Sequence, residues 1–191
     1  MSTVKPTLFD AVRVGDLRLR NRIVMAPLTR NRAPGAVPTA LMAQYYSQRA
    51  SAGLLISEAT AISQQAQGYF DVPGLYGTEQ LDGWKNVTRD VHAAGGTIVV
   101  QLWHVGRVSH TELQADGEAP VAPSAITAKT RTVLLRGAVP TFVDTSAPRA
   151  LRAAEMPGIV HDSQVAARSA VETAGFDGVE IHGANGYLLD Q

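Results

Sequence analysis

Four short apolar runs, separated by segments with helical spacing, restrict this chain more than any other feature. The runs are Ile23 to Leu28, Leu54 to Thr60, Thr97 to His104 and Asp177 to Ile181. The third is apolar nearly throughout, as a parallel strand covered on both faces should be. The fourth alternates, with Val179 and Ile181 pointing into a core and Glu180 the other way. Between the first two runs, Met42, Tyr45, Tyr46 and Arg49 recur at helical spacing behind a capping Thr39, with Gly53 as the stop. Between the second and third, Leu81, Trp84, Val87 and Val91 share one helical face behind Thr78, and Gly95-Gly96 ends it. A third helix is expected from Gly158 to Ala174, closed by Gly175. Such alternation means a parallel sheet with right-handed crossovers.

No Gly-x-Gly-x-x-Gly follows a strand and no P-loop is present, so a Rossmann-type nucleotide site is not supported. The fold class expected is α/β, a (β/α)8 TIM barrel. The chain covers an N-terminal hairpin, read over Leu8 to Leu19, and about the first four strands. Residues 1–191 then form the N-terminal half of one barrel domain. Residues 105–156 interrupt the alternation with a long Pro-, Ser- and Thr-rich excursion between the third strand and the third helix. It holds two strand-like pieces, Thr132 to Leu135 and Val139 to Val143. Loops this long in compact domains are usually lids or binding loops.

Composition excludes several classes. Seventeen basic residues balance seventeen acidic ones for a formal net charge of zero. This argues against a broad nucleic-acid or membrane-binding surface. Without cysteine there is neither a disulfide framework nor a thiolate metal site. The segment from Met1 to Thr7 lacks an apolar signal core, and no run approaches the ~18 apolar residues of a membrane helix. A soluble, cytoplasmic protein is expected.

Function is read from the strand exits. Thr29 follows the first strand; Glu58 and Thr60 end the second; Gln101 and His104 end the third; His182, Asn185 and Tyr187 follow the fourth. Barrel enzymes place their chemistry at these C-terminal strand ends. His182 and Asn185 can donate hydrogen bonds to one oxygen, and Tyr187 can give up a proton. That set suits a substrate whose carbonyl or nitro oxygen must be polarised. Each residue also has a structural role open to it: Thr29 as a cap, Gln101 as a partner of core backbone groups, Glu58 as a partner of an arginine. A metal site built on His104, His182 and Glu58 is the competing chemistry, but no His-Glu-x-x-His or His-x-His spacing supports it.

The chain resembles the Old Yellow Enzyme family of FMN-dependent ene-reductases, in its bacterial branch. The matching segments begin with Asn21-Arg-Ile-Val-Met-Ala-Pro-Leu-Thr-Arg30, Tyr45-Tyr46, Gln48-Arg-Ala-Ser-Ala-Gly-Leu54 and Ser57-Glu-Ala-Thr60. They continue through Gln101-Leu-Trp-His-Val-Gly-Arg107, Ala122-Pro-Ser-Ala125, Pro148-Arg-Ala150 and the closing Ile181 to Gln191. They span nearly the whole chain in family order. The resemblance implies a TIM barrel holding FMN noncovalently at its C-terminal face, with NADPH or NADH as hydride donor and an electron-poor alkene as substrate. It places Ala26 and Pro27 beside the isoalloxazine, Thr29 and the backbone of Ala59 at the flavin O4 and N5 region, and Gln101 on the pyrimidine edge. It gives His182 and Asn185 the oxygen of the activating group, with His182 also among the cofactor contacts. Tyr187 protonates the substrate carbon, and Tyr69 and Trp103 line the substrate pocket. Many relatives carry a second histidine where Asn185 stands.

Family members continue through four more strands, which supply the flavin phosphate site. Two rival readings therefore stand beside the ene-reductase. One is a catalytically silent half-barrel needing its missing C-terminal half, a partner chain or a homo-oligomer. The other is a metal-dependent barrel hydrolase.

Overall fold

A computed structural model describes residues 5–191, so the first four residues of the segment read for a signal core lie outside the described residues. The chain opens with an antiparallel hairpin, β1 (Val12–Val14) and β2 (Leu17–Leu19), turned at Gly15. The hairpin starts later than expected: Leu8 and Phe9 are exposed, and the Leu8 carbonyl accepts the Arg22 N–H at 2.8 Å outside any strand ladder. Arg20, just beyond it, donates to the Gly95 carbonyl and ties it to the sheet's N-terminal end.

The first parallel strand, β3, is confined to Val24–Met25. Pro27 has no N–H to offer a ladder, and pairing stops before it. α1 (Ala40–Ser47) begins where expected, with the Thr39 hydroxyl accepting from the Met42 N–H at 3.4 Å. It ends at Ser47, before Arg49, so Gly53 is not its stop. Gly53 serves a close approach instead, since a Cβ there would lie 2.1 Å from the Asn21 carbonyl oxygen. β4 (Leu54–Ala61) follows, then α2 (Thr78–Ala93). The α2 cap is Gly77 and not Thr78: Gln80 Oε1 reaches back to accept from the Tyr76 and Gly77 N–H groups at 2.9 and 3.0 Å.

β5 (Ile98–Trp103) is buried along its whole length. The excursion that follows carries β6 (Val121–Ala122), the hairpin β7 (Arg131–Arg136) and β8 (Val139–Asp144), and β9 (Arg149–Ala150), which pairs with β6. It is pinned onto the loop after β4. Ser109 donates to the Gln67 carbonyl at 2.7 Å, Thr132 to the Gly68 carbonyl, and the Phe70 N–H to the Val133 carbonyl. α3 (Met156–Glu172) starts earlier than expected, with Pro157 in its first turn, where a missing N–H is harmless. β10 (Gly178–Ile181) ends the regular structure.

The four long-range strands form one parallel sheet in the order β10-β5-β4-β3. Its outer face packs on the helices through Tyr46, Leu55, Trp84, Val87, Val91, Ile98, Val100, Ala170 and Phe176. Burial of such side chains stabilises by about 1.5–3 kcal/mol each, and this is why α2 follows its apolar stripe. β10 departs from expectation. It occupies the sheet edge and α3 covers it only in part, so Val179 is 37% and Ile181 64% exposed.

The register of β4 on β5 shifts between Ile56 and Ala59. Ile56 opposes Val99 and Ala59 opposes Gln101, so β4 carries one residue more than its partner. Leu55 belongs to the helix-side core, whereas Ala59 packs with Val72, Trp103 and Val105 at the mouth. Strict alternation would put both on one face. The bulge re-aims Ala59 to the mouth and turns Glu58 toward α1.

Candidate active site

A cavity of about 450 Å³ opens at the C-terminal ends of the parallel strands. Pro27, Thr29, Ala59, Gln101, Trp103, His182, Asn185 and Tyr187 line it, together with Glu180. These residues come from all four parallel strands and their exits, so the fold brings most of the expected set to one place. Ala26 is exposed and stands one residue outside the lining. Tyr69 lies just behind it, with its hydroxyl 3.1 Å from that of Tyr187.

The loop after β10 is held by several bonds. The His182 and Leu188 N–H groups donate to the Leu102 and His104 carbonyls, each at 3.0 Å. Gly186 N–H donates to Asp190 at 2.8 Å, and Gln191 donates to the Gly186 and Val105 carbonyls. Asn185 sits in the left-handed region at φ +59°, which asparagine tolerates better than most residues. This conformation projects the loop's polar groups at the cavity rim.

An aromatic cluster forms one wall. Tyr69 stacks on Trp103 at 5.5 Å, and His182 lies nearly parallel to Trp103 at 6.3 Å. The Tyr187 ring meets Trp103 edge-on at 4.9 Å and His182 at 5.0 Å. The His182 Nδ1 accepts the Ala184 N–H at 3.3 Å, which leaves Nε2 as the protonated nitrogen and a donor. Burial lowers the His182 pKa against the pull of Glu180 and Asp190, favouring this neutral, single-donor form. Burial and the Tyr69 hydroxyl push the Tyr187 pKa well above the ordinary phenol value, so Tyr187 is a neutral, protonated phenol.

Gln101 meets the cavity from β5. Its Nε2 donates to Glu180 Oε1 at 2.6 Å, which fixes the amide and leaves Oε1 to accept from a ligand. Glu180 was legible only as the residue facing away from Val179; its tie to Gln101 comes from the parallel register that sets them side by side. The residues fit a flavin ring: small Pro27 and Ala59 leave a flat floor, and an oriented amide acceptor matches a ring N–H.

Two expected candidates lie elsewhere. His104 is buried behind the site, against a mostly apolar space of about 190 Å³ between β10 and α3. Its Nδ1 accepts the Gly106 N–H at 3.1 Å, and burial lowers its pKa to about 4, so it is a neutral packing residue. Glu58 is fully buried on the α1 side of the sheet. Its partners are the Tyr46 hydroxyl at 3.1 Å and the Arg30 N–H at 3.2 Å, a backbone group and not an arginine side chain. Among the described residues no three His, Asp or Glu side chains are grouped to hold a metal ion.

The chain is similar to known proteins in sequence and in fold. The model of the NADH:flavin oxidoreductase / NADH oxidase family matches residues 7–191. 12-Oxophytodienoate reductase 1 of Oryza sativa subsp. japonica is 50% identical over 185 residues, covering 96% of this chain and 46% of that protein. The structure of morphinone reductase in complex with tetrahydroNAD superposes with a TM-score of 0.93 at 52% identity, over 96% of this chain and 51% of that one. The old yellow enzyme homologue from Zymomonas mobilis gives a TM-score of 0.90 at 49% identity, over 97% and 50%. The chain thus spans about half the length of the relatives it matches.

Proposed function

Because the chain belongs to the NADH:flavin oxidoreductase / NADH oxidase family, we propose that it is the ring-gripping half of an FMN-dependent NAD(P)H:ene reductase. The observation that carries this reading is the single cavity lined by His182, Asn185, Tyr187, Gln101 and Thr29 at the strand exits. When bound, FMN supplies a hydride at N5, drawn from NADPH or NADH, for the β-carbon of an α,β-unsaturated carbonyl or nitroalkene. Pro27, with neighbouring Ala26, and Ala59 provide the floor for its ring. Thr29 and the Ala59 backbone would hold its O4 and N5 edge, and Gln101 would accept from its pyrimidine side.

The other roles belong to side chains around the substrate. His182 Nε2–H and the Asn185 amide converge on the substrate oxygen and stabilise the charge that grows there as hydride arrives. Tyr187 delivers the proton to the α-carbon, so the C=C bond is reduced by one hydride and one proton. Tyr69 holds the Tyr187 hydroxyl, and Trp103 walls the pocket. A cytoplasmic setting, where reduced nicotinamides are available, fits this role.

The test is NAD(P)H-dependent reduction of 2-cyclohexenone by the FMN-loaded protein, followed by flavin absorbance and product analysis. Bleaching by NAD(P)H and reoxidation by the enone support the reading. A protein that takes up FMN but never passes electrons to an activated alkene overturns it.

The sheet edges favour a second reading, in which these residues are silent until more strands complete the barrel. Among the described residues β3 and β10 each pair on one side only, and Ile181, Leu28 and Val24 stand exposed beside them. A further half-barrel, from a longer chain or a partner, would cover those edges. Sedimentation of the 191 residues and their flavin content after desalting separate the readings: a yellow, monodisperse, active monomer excludes the second.

A further inference from the structure

The bulge in β4 is closed by side chains. The Ser57 and Thr60 hydroxyls both donate to the Glu58 carbonyl at 2.9 Å, and the Gln101 N–H donates to Ser57 Oγ at 3.3 Å. The Glu58 N–H donates to the Tyr46 hydroxyl at 2.7 Å, and that hydroxyl donates back to Glu58 Oε1. The other carboxylate oxygen, Oε2, accepts the N–H of Arg30, the residue after Thr29. One fully buried side chain therefore joins α1, the exit of β3 and the bulge of β4; it directly precedes Ala59, and its partner Arg30 directly follows Thr29, both residues of the cavity lining.

We propose that Glu58, held by Tyr46, is a positioning residue that sets the separation of Thr29 and Ala59 and thereby the seat of the flavin edge. The flavin part of this inference rests on the function proposed above. Glu58 does not line the cavity, and it acts through the backbone of Arg30 and Ala59. A carboxylate suits the task because it presents two acceptors to two donors, the Arg30 N–H and the Tyr46 O–H. Burial drives its pKa up to about 7 against those two bonds and the nearby Arg30 and Arg32 guanidiniums, with Tyr45 and Tyr46 the titratable groups beside it on α1. An uncharged residue would avoid that desolvation; what accounts for a carboxyl group here is the pair of donors its two oxygens meet.

The discriminating variant is Glu58→Gln, which keeps the shape but has one acceptor oxygen for two donors. At pH 8, amide exchange at Arg30 should quicken at least about tenfold on loss of a bond to a charged acceptor. FMN should bind at least about tenfold more weakly, and the flavin midpoint potential should shift. Adding Tyr46→Phe to Glu58→Gln removes the competing donor, so the amide oxygen turns back to Arg30 and its protection recovers. A merely destabilising change would instead make the double variant worse at Arg30 than the single one. Circular dichroism of both variants confirms that they fold. A folded Glu58→Gln protein with parental Arg30 exchange and parental midpoint overturns the inference. A parent that takes up no FMN overturns the proposed function and the flavin clause with it, while Arg30 exchange still decides the clamp.

Discussion

Replacing Tyr187 by phenylalanine isolates the proposed proton donor. The ring should stay in place, because phenylalanine keeps the edge-on packing of this ring against Trp103 and His182. What is lost is one hydroxyl and its 3.1 Å bond to Tyr69. The fold should lose only about 0.5–1.5 kcal/mol, the usual net worth of one such bond. The reaction should lose more: a positioned general acid contributes about 10²- to 10⁴-fold, or roughly 2.7–5.5 kcal/mol of barrier. Flavin reduction by the nicotinamide needs no phenol proton and should be unchanged. Stopped-flow measurement of the two half-reactions in the FMN-loaded protein reads both. Tyr69→Phe is the control, because it removes the same bond and leaves the proton. It should reduce alkene turnover by well under the Tyr187→Phe loss. Alkene reduction at the parental rate in Tyr187→Phe refutes the assignment, as does an equal loss in both half-reactions.

His182→Ala and Asn185→Ala should each lower enone turnover by about 10²–10³, and their double variant should fall short of the sum because both donors serve one oxygen; additive losses in kcat/KM would separate their roles. Thr29→Ala should move the flavin midpoint and change the two half-reaction rates in opposite directions, read by spectroelectrochemical titration, whereas altered rates at a constant midpoint would make Thr29 a positioning group. Glu58 should make stability pH-dependent. Its folded pKa is raised from 4.5 to about 7, so the native state holds the proton more tightly than the unfolded one. Its contribution is fully favourable below about pH 4.5 and is lost as pH rises through 7, a change on the order of 3 kcal/mol. Urea unfolding across that range should show the slope in the parent and a flatter profile in Glu58→Gln.

The order of strands and helices, the parallel sheet and the strand ends where polar side chains gather were legible from the chain alone. These follow from local signals: apolar runs, the helical spacing of Leu81, Trp84, Val87 and Val91, and polar residues at the exits of those runs. Tertiary structure alone decided where alternation fails. The bulge at Ser57 and Glu58 depends on the register against β5, which no property of β4 alone encodes. Exposure of Val179 and Ile181 depends on β10 lying at an edge, so an apolar pattern that reads as core is left half bare. The partners of Glu58, twelve residues back at Tyr46 and twenty-eight back at Arg30, were equally hidden. So was the pairing of Tyr69 with Tyr187 across 118 residues. Periodicity reports which side of its own element a residue faces; which neighbour waits there is settled only when the sheet is assembled and buried polar groups must find partners.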